Sequence, residues 1–400
     1  VNEPTPHAPG TDAHGDHQSD QALDMIQLLD HTGQLTAHPD YTPRITHLDA
    51  DALRRMHRDM VLARTFDTEA TSLQRQGELA LFAPALGQEA AQVGSAWALR
   101  PQDYVFPSYR EHAVVQARGV DPANILRIFR GIDHGGWDPA DHNVHLYTLV
   151  IGSHTLHATG YAMGLQRDGL VGSGDPDRDA AVVTYFGDGA TSQGDTNEAL
   201  VFAAVNNAPV VLFCQNNQWA ISEPTTRQSR VPIVERGRGF GVPSVRVDGN
   251  DVLACYAVTL EALERARTGG GPTFVEAYTY RMGAHTTSDD PTRYRSAAEE
   301  EHWRRRDPID RFTTFLRSEG LLTEEHTDAL AAEAEALAVR LREQVRAMDA
   351  PPTSSMFDDV YATPHSDVER ERAWFARYEA SFADAAADGS GATASEGAAR

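Results

Sequence analysis

Cysteine is almost missing from this sequence. The two in 400 residues, Cys214 and Cys255, sit among apolar neighbours without metal-like spacing. They read as buried free thiols in a reducing compartment. Long apolar runs are missing too. None approaches the roughly 20 residues that a membrane helix requires, and the first residues lack the charged-then-apolar signal pattern. A cytoplasmic chain that does not engage the membrane is expected. Basic charge is scarce: 35 Lys and Arg against 58 Asp and Glu leave a formal net charge of −23. That balance argues against nucleic acid or an acidic membrane surface as the main partner. No Gly-x-Gly-x-x-Gly fingerprint exists where it would matter most, because Ser192 stands where a third glycine would follow Gly187 and Gly189. There is also no Gly-x-x-x-x-Gly-Lys loop, so neither an NAD site nor a P-loop is expected.

What is present is the composition of a globular protein, 41% hydrophobic and 23% charged, in a chain long enough for one large α/β domain or two smaller ones. Residues 1–22 are polar and rich in Pro, His and Asp, and residues 385–400 are Ala, Gly, Ser and Glu. Both read as disordered tails. Between them, residues 23–320 are expected to form the main domain and residues 321–384 a helical C-terminal extension. A helix is predicted over Asp49–Gln76, with Leu53, Met56, Met60 and Ala63 on one face and Gly77 as its stop. Another is predicted over Gly87–Leu99. Asp307-Pro308 and Thr323 look like the starts of two more.

The centre of the chain carries the argument. The run from Ala180 to Phe186 is apolar and rich in β-branched residues, and Gly187-Asp188-Gly189 follows at once. A helical stretch over Thr196–Asn207 comes next. Then Val210–Cys214 forms a second buried strand, closed by Gln215-Asn216-Asn217. Strand, helix and strand with uninterrupted apolar strands predict a βαβ unit in a parallel sheet covered on both faces. Two further strands are predicted, Val245–Val247 and Thr273–Tyr278, with a helix between them. The fold class is therefore α/β, a doubly wound parallel sheet flanked by helices, with a helical C-terminal segment.

Gly187-Asp188-Gly189 would lie at the carboxyl end of a strand, where open α/β sheets bind ligands. Asp188 is a hard oxygen donor suited to Mg²⁺, and the glycines let backbone approach a ligand. Asn217 follows Asp188 by 29 residues, about one βαβ unit, so both side chains would face one crevice. With the carbonyl of Trp219 they would offer Mg²⁺ three protein oxygens. Diphosphate oxygens and a water would complete the octahedron.

The run from Gly187-Asp188-Gly189 to Asn216-Asn217 resembles the thiamin diphosphate motif. The resemblance extends to the α subunits of heterotetrameric 2-oxo acid dehydrogenase E1 enzymes. Four segments carry it: Gly187 to Asp195, Gln215 to Ser222, Arg246 to Asp251, and Thr279 through Asp290 to Arg295. It covers about residues 45 to 320. It implies the thiamin-diphosphate-binding fold, thiamin diphosphate and Mg²⁺ as cofactors, and Asp188, Asn217 and Trp219 as metal ligands. Gly187, Gly189 and Ala190 would border the cofactor. Tyr109, Arg110 and Arg281 would contact the diphosphate, a match for the guanidinium fork. Ser153 and Thr155 would approach the aminopyrimidine through their backbone. His285 would border the cofactor and act in catalysis, orienting the substrate carboxylate or donating a proton near neutral pH.

The implied activity is oxidative decarboxylation of a branched-chain 2-oxo acid or pyruvate, with acyl transfer to the lipoyl group of an E2 acyltransferase. An acetoin-cleaving enzyme is an alternative. The implied assembly is an α₂β₂ heterotetramer with an E1 β subunit, and the α chain alone is expected to be nearly inactive. The sequence departs from the family pattern at Ala284, where some relatives have His, and at Ser108, where some have Gln. It departs again at Gln215, where relatives often have Arg or Glu.

Overall fold

The computed structural model describes residues 24–387. The expected tails lie outside the described residues, apart from residues 385–387, which end the last helix. The chain divides into two compact units, a first through Ala347 and a second from Met348.

The strands are β1 (Met25–Ile26), β2 (Tyr104–Phe106), β3 (Val182–Gly187), β4 (Val210–Asn216), β5 (Trp219–Ala220), β6 (Glu223–Pro224), β7 (Ser244–Asp248) and β8 (Thr273–Tyr278). Among the helices are α1 (Ala50–Arg75), α2 (Glu89–Trp97), α3 (His112–Ala117), α4 (Pro122–Arg130), α5 (Ser153–Arg167), α6 (Gly194–Asn206), α7 (Val252–Arg267), α8 (Pro308–Ser318), α9 (Glu324–Arg346) and α10 (Ser366–Ala387). A sheet of order β1-β7-β8-β4-β3-β2 is parallel throughout. Strands β5 and β6 make a separate antiparallel hairpin.

The uninterrupted apolar strands follow from burial on both faces. On one face Val182, Phe186, Val210, Leu212, Cys214 and Phe274 pack with Ala158, Ala162 and Leu165 of α5 and Ala199, Leu200 and Ala203 of α6. On the other, Tyr185 packs beside Phe213 and its hydroxyl donates to Ser95 Oγ of α2 (3.0 Å). Register pairs Gly187 with Gln215 and Asn216 with Tyr278. The carboxyl ends of β3, β4 and β8 therefore lie level, and β2 ends beside them. The loops that follow these four neighbouring strands carry Asp188, Asn217, Arg281 and Arg110.

Local signals account for the helix starts. Asp49 caps α1 by accepting from Ala52 N–H (2.7 Å), and Asp251 caps α7 through Leu253 and Ala254 (both 3.0 Å). Helices α2 and α7 cross closely at Gly94, where an added Cβ would lie 2.6 Å from the Val252 carbonyl and 2.8 Å from Cys255 Cβ. Alanine there gains about 1 kcal/mol of helix propensity, but the contact is with backbone and cannot relax cheaply. Gly94→Ala is expected to destabilise the fold by about 1–3 kcal/mol. A denaturant midpoint that rises instead would show that the two helices can separate freely.

In the second unit, a 3₁₀ turn at Thr353–Phe357 packs on α10, with Phe357 and Phe375 ring centroids 5.8 Å apart and the Arg372 guanidinium over Phe357.

Candidate functional site

A cavity of about 270 Å³ opens at the carboxyl ends of β2, β3, β4 and β8. Its wall includes Tyr109, Arg110, Gly187, Asp188, Gly189, Ala190, Asn217, Trp219, Arg281 and His285. These ten residues, singled out from four separate stretches of sequence, come together. Ser153 and Thr155 do not line the cavity. They form the first turn of α5, where Ser153 Oγ donates to Val150 O (3.0 Å) and buried Thr155 Oγ1 to Gly152 O (2.6 Å). The preceding Ile151 reaches the wall in their place.

Asp188 is 1% exposed and opens a 3₁₀ turn directly after β3. Burial pushes its carboxyl above the ordinary value, while a hydrogen bond from Gln228 Nε2 (2.8 Å) and the Arg281 charge pull the other way. Gly187 has open space where a side chain would stand. At Gly189 a Cβ would come within 2.8 Å of Ala220 Cβ, so this backbone approaches the β5–β6 hairpin too closely for a larger residue.

The hairpin is bent to fit. Gln218 and Ile221 both hold left-handed backbone, φ 72° and 57°, a costly conformation for an Ile. Gln218 is held there by Asn216 Oδ1 (3.1 Å to its N–H) and by its own Nε2 donating to Thr279 O (2.7 Å). The Trp219 carbonyl consequently faces Arg281, whose Nη1 donates to it (2.5 Å) while Nη2 donates to Ile221 O (2.8 Å). Arg281 is fully buried, and burial together with Arg110 lowers its guanidinium to about 10. Its Nε has no hydrogen-bond partner among the described residues, nor does Gln88 Nε2. Gln88 Oε1 meanwhile accepts from Asn217 Nδ2 (3.0 Å), and Asn217 Oδ1 accepts from Trp219 N–H (3.3 Å).

Arg110 spreads its fork between the Pro84 carbonyl and His285, donating through Nη2 to His285 O (2.8 Å) and Nδ1 (3.2 Å). Nδ1 accepting from a guanidinium puts the ring proton on Nε2. Burial, then the Arg110 and Arg281 charges, press the imidazole down to about 3. His285 is therefore a neutral hydrogen-bond donor at working pH, suited to orienting a carboxylate and unsuited to giving up an imidazolium proton near pH 7. Tyr109 meets its ring edge to face, 6.3 Å between centroids.

Sequence reasoning did not find Gln88, Gln228 or Glu111. Glu111 stands beside the Tyr109-Arg110 pair, so adjacency alone could have marked it. Gln88 and Gln228 lie in no motif.

The cavity combines buried guanidiniums with oxygen donors at the strand ends. Two buried guanidiniums border the cavity, and Arg281 Nε and Gln88 Nε2 lack a hydrogen-bond partner among the described residues, a donor set suited to an anion. Among the described residues no three His, Cys, Asp or Glu converge on a point. The oxygens of Asp188, Asn217 and Trp219 form a different set: one carboxylate, one carboxamide and one carbonyl, all hard donors that suit Mg²⁺.

Residues 57–353 match the sequence model of the dehydrogenase E1 component family. The chain is 46% identical over 355 residues to the 3-methyl-2-oxobutanoate dehydrogenase subunit alpha of Mycobacterium tuberculosis, covering 88% of this chain and 93% of that protein. It is 42% identical over 290 residues to the pyruvate dehydrogenase E1 component subunit alpha of Acholeplasma laidlawii, covering 72% and 81%. With the corresponding subunit of Staphylococcus aureus it shares 37% over 316 residues, covering 78% and 82%.

Proposed function

Because the chain belongs to the dehydrogenase E1 component family, as an α subunit of a 2-oxo acid dehydrogenase, we propose that it holds thiamin diphosphate and Mg²⁺ in the cavity at the strand ends. In that reading it serves the oxidative decarboxylation of a branched-chain 2-oxo acid. The observation that carries the reading is the convergence of Asp188, Asn217 and the Trp219 carbonyl on the same cavity as Arg110, Arg281 and His285. The donors present fit the two groups. Asp188, Asn217 and Trp219 would hold the metal, and the Arg110 and Arg281 guanidiniums would hold the diphosphate. Arg281 would exchange its bonds to the Trp219 and Ile221 carbonyls for phosphate oxygens.

When bound, thiamin diphosphate supplies the nucleophilic carbon and the electron sink that decarboxylation needs. The chain supplies position and field. His285 Nε2–H donates to the substrate carboxylate, and Arg110 fixes the imidazole by holding Nδ1. Gly187 and Gly189 admit the diphosphate close to backbone. Ile151 and Ile221 give the cavity an apolar rim, which favours a branched side chain over a methyl group. A relative that matches over 355 residues is named for 3-methyl-2-oxobutanoate; the pyruvate dehydrogenase subunits make pyruvate the second reading. A β subunit completes the enzyme, in an α₂β₂ tetramer that passes its acyl group to the lipoyl group of an E2 acyltransferase. Among the described residues no helix is long and apolar enough to cross a membrane, and two buried free cysteines suit the cytoplasm.

The test is decarboxylation by this chain co-purified with its β partner, thiamin diphosphate and Mg²⁺. The expected kcat/KM for 3-methyl-2-oxobutanoate exceeds that for pyruvate by roughly 10- to 200-fold, the range that a few methyl groups afford. A ratio favouring pyruvate would move the assignment to the second reading. No turnover of either acid with cofactor bound would sink the substrate class.

A further inference from the structure

The wall of the same cavity contains a second carboxylate, Glu111, which the reading above leaves without a task. Glu111 is 2% exposed at the start of α3 and is one of the residues lining the cavity. Every group bonded to it is neutral. Gln215 Nε2 donates to Oε1 (2.7 Å), Ser108 N–H donates to Oε2 (2.7 Å), and Arg110 N–H reaches Oε2 at 3.4 Å. The guanidinium that could neutralise it, Arg110, is turned away to Pro84 and His285. At the strand-end position nearest Glu111 stands an amide, Gln215, itself tied to Gln92 Nε2 (3.2 Å). Among the described residues this buried carboxylate has no ion-pair partner, and it belongs to the wall of a cavity that also holds Arg110 and Arg281.

Resting on the thiamin diphosphate reading, we propose that Glu111 is a positioning residue that takes up a proton when the diphosphate enters. An ionised carboxylate in this wall would repel the incoming anion across a desolvated gap, whereas the protonated form donates a hydrogen bond and removes the repulsion.

The free site is poised for this, since burial pushes the Glu111 carboxyl up to about 7, with Ser108 N–H and Arg110 pulling it down. The other charged or titratable groups around it do not substitute. His112 is held at about 3 and stays neutral. The Tyr147 and Tyr185 phenols are pushed up by burial and by Glu111 itself, and stay protonated. His285 is neutral, and Arg281 keeps its charge through pH 9. Asp67, raised well above the carboxylate range by burial and then by Glu89, accepts from Ala85 N–H and is not on the cavity wall. Asp188 is on the wall, but a metal there would drive protons off, the opposite sign. None of the bonds to Glu111 comes from Asp188, Asn217 or Trp219.

The sign follows directly. An anion raises the Glu111 pKa above its free value near 7, so binding takes up a proton between those two values. Affinity then falls as pH rises through that window, by up to about tenfold per unit. Isothermal titration of the α–β complex with thiamin diphosphate and Mg²⁺ at pH 8, in buffers of different ionisation enthalpy, reads the proton count. Inorganic pyrophosphate repeats it without the ring. The expected result is net uptake in the wild type and its loss in Glu111→Gln, with the Kd of the variant flat between pH 7 and 9. Gln215→Arg provides a second route should Glu111→Gln not assemble, because a cation at 215 keeps Glu111 ionised and removes the linkage. Binding without uptake in the wild type, or equal uptake in both variants, overturns the proposal alone. Failure of the wild type to bind the cofactor at pH 7 overturns this proposal and the reading of the site together.

Discussion

Asp188→Ala is expected to lower the decarboxylation kcat of the α–β complex roughly a thousandfold or more and to abolish the dependence of cofactor affinity on Mg²⁺. The argument is one of charge. Of the three oxygens assigned to the metal, only Asp188 carries a formal negative charge. Asn217 contributes a carboxamide already accepting from Trp219 N–H, and Trp219 a carbonyl already accepting from Arg281. A divalent cation left with two neutral protein donors beside two guanidiniums is held by the diphosphate and no longer ties it to the chain. The diphosphate does not lose its anchors, because Arg110 and Arg281 remain. The variant should thus keep weak cofactor binding that no longer responds to Mg²⁺. Asp188→Asn separates charge from ligation: it keeps one oxygen for the metal while removing the charge, and should fall nearly as far. Parallel titrations of cofactor with Mg²⁺ and with a chelator check both. Full Mg²⁺-dependent affinity in Asp188→Ala would mean that another group carries the metal.

The frame of this site was open to reading from sequence, and the reasons are physical. Strands β3 and β4 are buried on both faces, so they lack the alternation of exposed strands and show as continuous apolar runs from Val182 and Val210. The glycines and Asp188 interrupt the first run abruptly because the chain leaves the core there and borders the cavity. Capping residues have local causes, so the helix predicted over Asp49–Gln76 is seen at Ala50–Arg75. Helix α5 escaped notice for an equally definite reason. It buries Ala158, Thr159, Ala162 and Leu165 and carries Gly160 and Gly164, so the face that packs is made of small residues and has little hydrophobic period. That weak signal leaves the residues around Ser153 without an element in the sequence, and it hides the place of Ile151 on the cavity wall. Strand β1 pairs Met25 with Arg246, a partner more than two hundred residues away that no local pattern can name. The polar groups that complete the site, Gln88, Glu111 and Gln228, come from three segments that meet only once the strands are ordered β8-β4-β3-β2.

Arg267→Met is expected to destabilise the protein by about 3–5 kcal/mol, the range for removing one partner of a buried ion pair. Arg267 is the last residue of α7, 2% exposed, and Asp103, fully buried, immediately precedes β2. Arg267 Nε donates to Asp103 Oδ1 (3.0 Å), and Nη2 donates to Oδ2. Asp103 is more than a counter-ion. Its Oδ1 also accepts from Ala181 N–H (2.9 Å), just before β3, and its Oδ2 from Arg100 N–H (2.7 Å). One carboxylate thus joins the end of α7, the edge strand β2 and the entry to β3, the strand that delivers Asp188. Methionine keeps the volume of the arginine stem but leaves the carboxylate buried with backbone donors alone, which cannot offset its desolvation. The double variant Arg267→Met with Asp103→Asn distinguishes a lost charge partner from lost packing. An amide keeps an acceptor for the Ala181 N–H and carries no charge, so the pair should recover a substantial part of the deficit, a coupling of roughly 1–3 kcal/mol. Urea midpoints for the four members of the cycle, at one fixed concentration of the α–β complex, measure it. Additive losses would assign the cost to packing, and the ion pair would then be a passenger in the fold.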